Sequence, residues 1–120
     1  MLTDDLVIEW TSALRSGDYA QGQNVLCRVD DDGSHEYCCL GVLADILVKH
    51  GNGIWQNPLE GEQELRFQQN PDDEFIGVLP SSLIPSHAQN NVLIRMNDNQ
   101  GADFDTIADK IEWLHDKNYL

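Results

Sequence analysis

The chain has 120 residues, 21 of them acidic and 7 basic, for a formal net charge of −14. Leu, Ile, Val and Phe fill 32 positions. That exceeds the roughly 20 % level under which high charge implies disorder, so a folded domain with one core is expected. The charge argues against nucleic-acid backbones and anionic membranes as direct partners, because phosphate binding needs clustered Lys and Arg.

The start, Met1 to Asp5, is acidic and lacks the basic, then apolar, pattern of a secretory leader. No apolar run approaches the roughly 20 residues that span a bilayer. With three cysteines, Cys27, Cys38 and Cys39, reduced thiols in a cytosol are the simplest reading, and a Cys27–Cys38 bridge across a hairpin is the alternative. A cytosolic location is expected.

The first helix is expected over Asp4 to Arg15. Thr3 caps it, Asp4 and Asp5 face the positive end of its dipole, and Leu6, Val7, Trp10, Ala13 and Leu14 share one face. Val25 to Val29 reads as a strand, followed by an Asp-Gly turn and a returning strand, His35 to Cys38. The second helix is expected from about Cys38 to His50, stopped by Gly51. Its apolar residues cover more than half its circumference, which makes it the central helix. Residues 52–73 are the least patterned, with a short strand around Glu64 to Phe67, and are expected to be a variable, flexible insertion in a single domain, 1–120. A turn at Asn70 to Asp73, an extended segment from Phe75 to Leu79, and at most one helical turn between Pro80 and Pro85 follow. The third helix is expected over about Ser86 to Met96, with Asn97 to Gly101 as a tight connection in which the Asn97 and Asp98 side chains bond nearby backbone. The fourth is expected over Phe104 to Asp116 behind an Asp103 cap. The class is therefore α+β: about four helices around the central apolar helix 38–50, with a small antiparallel hairpin or sheet.

Trp10, then Leu14-Arg15-Ser16-Gly17 with Tyr19, then Tyr37-Cys38-Cys39-Leu40-Gly41-Val42-Leu43 resemble the first half of a family of small uncharacterised bacteriophage and prophage proteins. Leu79-Pro80, Met96-Asn97-Asp98, and Phe104 with Ile107-Ala108-Asp109 and Ile111-Glu112 resemble its second half. The resemblance leaves out 52–73. It implies a phage or prophage setting and a cytoplasmic location, and it supplies no activity and no catalytic residues.

Cys38 and Cys39 sit at the expected start of the second helix, where the dipole lowers a thiol pKa, and His35, His87 and His115 are available as a base. Cys39 falls on the apolar face with Leu43 and Ile46, so Cys38 is the better candidate for a thiol enzyme. The other reading makes both cysteines small apolar fillers. Arg15, Arg28, Arg66 and Arg95 are the cations that would have to gather to sequester a signalling nucleotide. No metal or cofactor pattern is present: the cysteines and histidines lack paired ligand spacing, and neither acidic turn fits a calcium loop.

The most distinctive feature lies on the fourth helix. Asp105, Asp109, Glu112 and Asp116 project within about 60° of one another, in a row on the order of 16 Å long. Trp113 falls off the apolar face, beside that row. A Trp next to carboxylates suits a binding anchor with a charged rim. The alternative is a solvated face with Trp113 covered by 52–73. The expected function is thus non-catalytic binding of a host or defence protein with a basic surface, with a second copy of the chain as a further candidate partner.

Overall fold

The computed structural model describes residues 3–23, 25–56, 64–68 and 87–117. In order they form α1 (Asp4–Arg15), β1 (Cys27–Val29), β2 (His35–Tyr37), α2 (Cys39–Lys49), β3 (Ile54–Gln56), β4 (Glu64–Gln68), α3 (His87–Asp98) and α4 (Phe104–Asp116). The class is α+β, as expected. The expected extended segment 75–79, the turn at 70–73 and the turn between Pro80 and Pro85 lie outside the described residues.

The starts of α1, α2 and α4 each have a cap. Thr3 Oγ1 accepts the N–H of Leu6 at 3.2 Å, and Asp103 Oδ1 accepts that of Thr106 at 2.9 Å. These bonds satisfy donors that have no partner inside the helix. At α2 the cap is a thiol: Cys38 Sγ accepts the N–H of Gly41 at 3.3 Å. The other end of α2 closes on Gly51 at φ 78°, with Asn52 N bonding Leu47 O and Gly51 N bonding Val48 O. That pair of bonds needs a left-handed residue, and glycine adopts it without a Cβ clash.

The four strands order β2-β1-β4-β3, all neighbours antiparallel. The hairpin pairs Cys27 with Tyr37 and Val29 with His35. β3 and β4 come from 52–73, and β4 inserts beside β1 with Cys27 opposite Leu65. Phe67 from this stretch is fully buried. Alternation puts Cys27, Leu65 and Phe67 on the face toward the helices and Arg28 on the other.

α2 is the spine of the core. Eight of its eleven residues are buried, and it packs against α1, α3, β2 and β3. It meets Leu26, the residue before β1, so closely that a Cβ on Gly41 would lie 1.8 Å from the Leu26 carbonyl oxygen. A side chain there is excluded, which gives the glycine in the Cys-Cys-Leu-Gly string a packing reason. Trp10, fully buried on α1, donates its indole N–H to the Cys39 carbonyl at 2.9 Å.

α1 and α4 run antiparallel along each other. Asp4 at the start of α1 meets His115 near the end of α4, and Arg15 at the end of α1 meets Asp109 and Glu112. α3 extends through Asp98 rather than ending at Met96. Asn97 is therefore helical, and it is completely buried. It follows Leu93 by four residues, on the same inward stripe. Its Oδ1 accepts the backbone N–H of Cys39 at 3.3 Å and the amide of Gln21 at 3.0 Å. Its Nδ2 donates to the Gly22 carbonyl at 2.8 Å and to Asp98. The expectation that it bonds nearby backbone is corrected: apart from Asp98, its partners lie 58 to 76 residues away.

Candidate functional site

The α4 face builds as its spacing predicts. Phe104, Ile107, Ala108, Ile111 and Leu114 are buried, while Asp105, Asp109, Glu112, Trp113 and Asp116 are exposed. Trp113 keeps 48 % of its surface in contact with solvent, in a helix whose other large apolar residues are at most 7 % exposed. The ammonium of Lys110 sits 4.3 Å from the centre of its ring. Such a cation–π contact fixes the ring's orientation and shows that its face attracts positive charge.

The row is not left to repel itself. Arg15 Nη2 bonds Asp109 Oδ1 at 2.6 Å, and Arg15 Nη1 bonds Glu112 Oε1. The two carboxylates hold the guanidinium pKa above its ordinary value. The relief comes from α1, across the helix pair. Both carboxylates remain exposed, at 78 % for Asp109 and 49 % for Glu112. Asp105 and Asp116 are exposed and carry no hydrogen bond or ion pair among the described residues. The face is thus a Trp flanked by two carboxylates held by Arg15 and two that are open.

The four arginines do not come together in a described hollow. Arg15 is engaged on α1, Arg28 lies on β1 and Arg95 is exposed on α3. Arg66 pairs in register with Gln56 in β4, and its side chain is outside what is described. Arg28 lines a polar hollow of about 430 Å³ with Glu36, Asp103 and Gln21 to Gln23, where two carboxylates counter it.

The thiols are placed for packing. Cys39 is fully buried, and Cys38 is 7 % exposed. Burial pushes the Cys38 thiol up to about 11 and Cys39 well above its usual range. The reading of Cys38 as a thiol activated by the helix dipole is corrected: backbone N–H groups do lower its pKa, but desolvation outweighs them. His35 lies on the exposed start of β2, its ring against Tyr37 and without a hydrogen bond to either thiol. All three cysteines are free. Among the described residues no three His, Cys, Asp or Glu side chains form a metal-ligand group, and no helix is long and apolar enough to cross a membrane.

A second feature escaped sequence reasoning. Asp45 of α2, only 15 % exposed, accepts the Tyr19 hydroxyl at 2.6 Å and the Trp55 indole N–H at 3.1 Å. Lys49 Nζ lies 3.3 Å from the same carboxylate and 3.0 Å from the Tyr19 oxygen. The available signal was an aspartate in an otherwise apolar helix, which a buried position tolerates only with partners.

A family model described as Domain of unknown function (DUF8296) matches residues 3–83 of the chain. No curated protein and no solved structure matches it. The matched segment ends before α3 and α4, so the acidic face lies beyond it.

Proposed function

The chain belongs to the DUF8296 family, and we propose that it acts without catalysis, by binding a basic-surfaced protein of a bacterial host or its defences. The observation that carries this reading is Trp113. It is the one large apolar side chain of α4 left substantially exposed, and carboxylates flank it on the same face. An aromatic anchor supplies contact area, and surrounding charge selects and orients a partner of opposite sign. The net charge of −14 extends that selection over long range, speeding encounter with basic surfaces. The buried thiols and the dispersed Arg15, Arg28 and Arg95 support this reading over a thiol enzyme or a nucleotide trap. The phage or prophage setting rests on the resemblance of the Cys-Cys-Leu-Gly and Met-Asn-Asp segments.

Capture from bacterial lysate tests the reading, comparing the wild type with an Asp105→Asn, Asp116→Lys double variant. Basic proteins retained by the wild type, released by moderate salt and lost with the variant are the expected result. Retention that ignores both salt and the variant contradicts it.

A further inference from the structure

The helix-facing side of the sheet carries a row of rings. Phe67 and Trp55 stand 6.1 Å apart between centroids, Trp55 and Tyr37 6.3 Å, and Tyr37 and His35 6.3 Å. Tyr19 meets Tyr37 edge-on at 5.0 Å. At one end Phe67 is fully buried; at the other, His35 is exposed. There Tyr19, His35 and Tyr37, with Asp18, Ala20, Asp45 and Lys49, line a hollow of about 580 Å³.

The lining favours a planar cation. The His35 and Tyr37 rings lie within 18° of parallel and offer flat π faces. Among the described lining residues, two carboxylates, Asp18 and Asp45, share the hollow with a single ammonium, Lys49. That ammonium is already held by Asp45 and the Tyr19 hydroxyl, and it sits 5.3 Å from the Tyr19 ring centre, so a cation rests against an aromatic here in the protein itself. A phosphate or carboxylate ligand would face Asp18 and Asp45 with no uncommitted Lys or Arg among the described lining residues to meet it. We propose that this hollow receives the guanidinium of an arginine side chain presented by the basic partner. A guanidinium is flat, weakly hydrated and able to fork onto a carboxylate while stacking on a ring, whereas an ammonium is a compact, strongly hydrated point charge. The assignment rests on the partner being basic, and it names the group that partner supplies.

Nuclear magnetic resonance titration of the full chain separates the possibilities, using N-acetyl-arginine amide, N-acetyl-lysine amide and adenosine monophosphate as probes. The arginine probe should shift the ring signals of Tyr19, His35 and Tyr37 saturably, the lysine probe more weakly, and the nucleotide not at all. His35→Ala, an exposed change that leaves the core intact, should weaken the arginine probe about two- to fivefold. Lys49→Met, which removes the resident cation, should tighten it by a similar factor. The proposal is overturned if the nucleotide shifts these signals and arginine does not, or if lysine binds as well as arginine. It is equally overturned if His35→Ala has no effect or Lys49→Met weakens arginine binding. If arginine fails here while the Asp105→Asn, Asp116→Lys variant still abolishes capture, the hollow assignment falls and the α4 reading stands. If arginine binds and capture ignores that variant, the reverse holds.

Discussion

Asn97 and Cys39 meet across 58 residues of chain: the buried amide oxygen of Asn97 accepts the backbone N–H at the first residue of α2, at 3.3 Å. The same amide donates to the Gly22 carbonyl at 2.8 Å, so one side chain joins α3, the start of α2 and the segment before β1. Asn97→Ala leaves that N–H and that carbonyl without this partner in a dry interior. It should lower unfolding free energy by about 2–4 kcal/mol, read as a shifted urea midpoint at unchanged slope. A loss under about 0.5 kcal/mol would mean water replaces the amide.

Gly41 makes a comparable demand on the backbone. Its missing Cβ is replaced by the Leu26 carbonyl oxygen, 1.8 Å from where that carbon would stand. Gly41→Ala must push α2 away from the Leu26 backbone, and a loss of about 3 kcal/mol or more, or failure to fold, is expected. Helix propensity alone predicts the opposite sign, since alanine favours helix over glycine by about 1 kcal/mol. Thermal melting of the variant therefore decides between packing and propensity.

The thiols set an alkaline limit. Burial holds Cys38 up to about 11 and Cys27 up to about 12, against an ordinary value of 9.0. The unfolded chain thus releases thiol protons near pH 9, and the folded one only above it. The stability these groups contribute is complete below about pH 9 and falls as pH rises toward 11 and 12. The melting temperature should hold level from pH 7 to 8.5 and then decline. Under native conditions at pH 7.5 a thiol reagent should label none of the three cysteines over minutes, and all three in denaturant. Fast native labelling of Cys38 would contradict the burial argument.

Arg15 links stability to the acidic face. Its pairs with Asp109 and Glu112 are solvent-exposed, so Arg15→Gln should cost under about 1 kcal/mol, and less at high salt. The same change frees two carboxylates beside Trp113. Affinity for a basic partner should rise while stability falls slightly, as read by calorimetry of binding and melting on one preparation.

Periodicity made α1, α2 and α4 legible, because amphipathic or all-round apolar spacing is a local property. The register of β3 and β4 was not legible: the strands are short, and β4 pairs with β1 across more than thirty residues. Asn97 read as a turn residue because Asn-Asp-Asn resembles one locally, yet its four-residue spacing from Leu93 marked it as inward-facing. The carboxylate row was visible from α4 alone. Its relief by Arg15 depends on α1 lying antiparallel to α4, which no local pattern encodes. Cys38 misled for a related reason: the helix dipole is readable from position, but the desolvation that overrides it comes from tertiary packing.

The central claim is that Trp113 and the carboxylates around it bind a basic protein. The most direct measurement is the Kd of the wild type and of Trp113→Ala for a basic protein captured from lysate, across a salt series, with circular dichroism showing both proteins folded. Binding weakened about tenfold or more by Trp113→Ala, and falling steeply with salt for the wild type, is the predicted result. Equal affinities, or binding indifferent to salt, would contradict it.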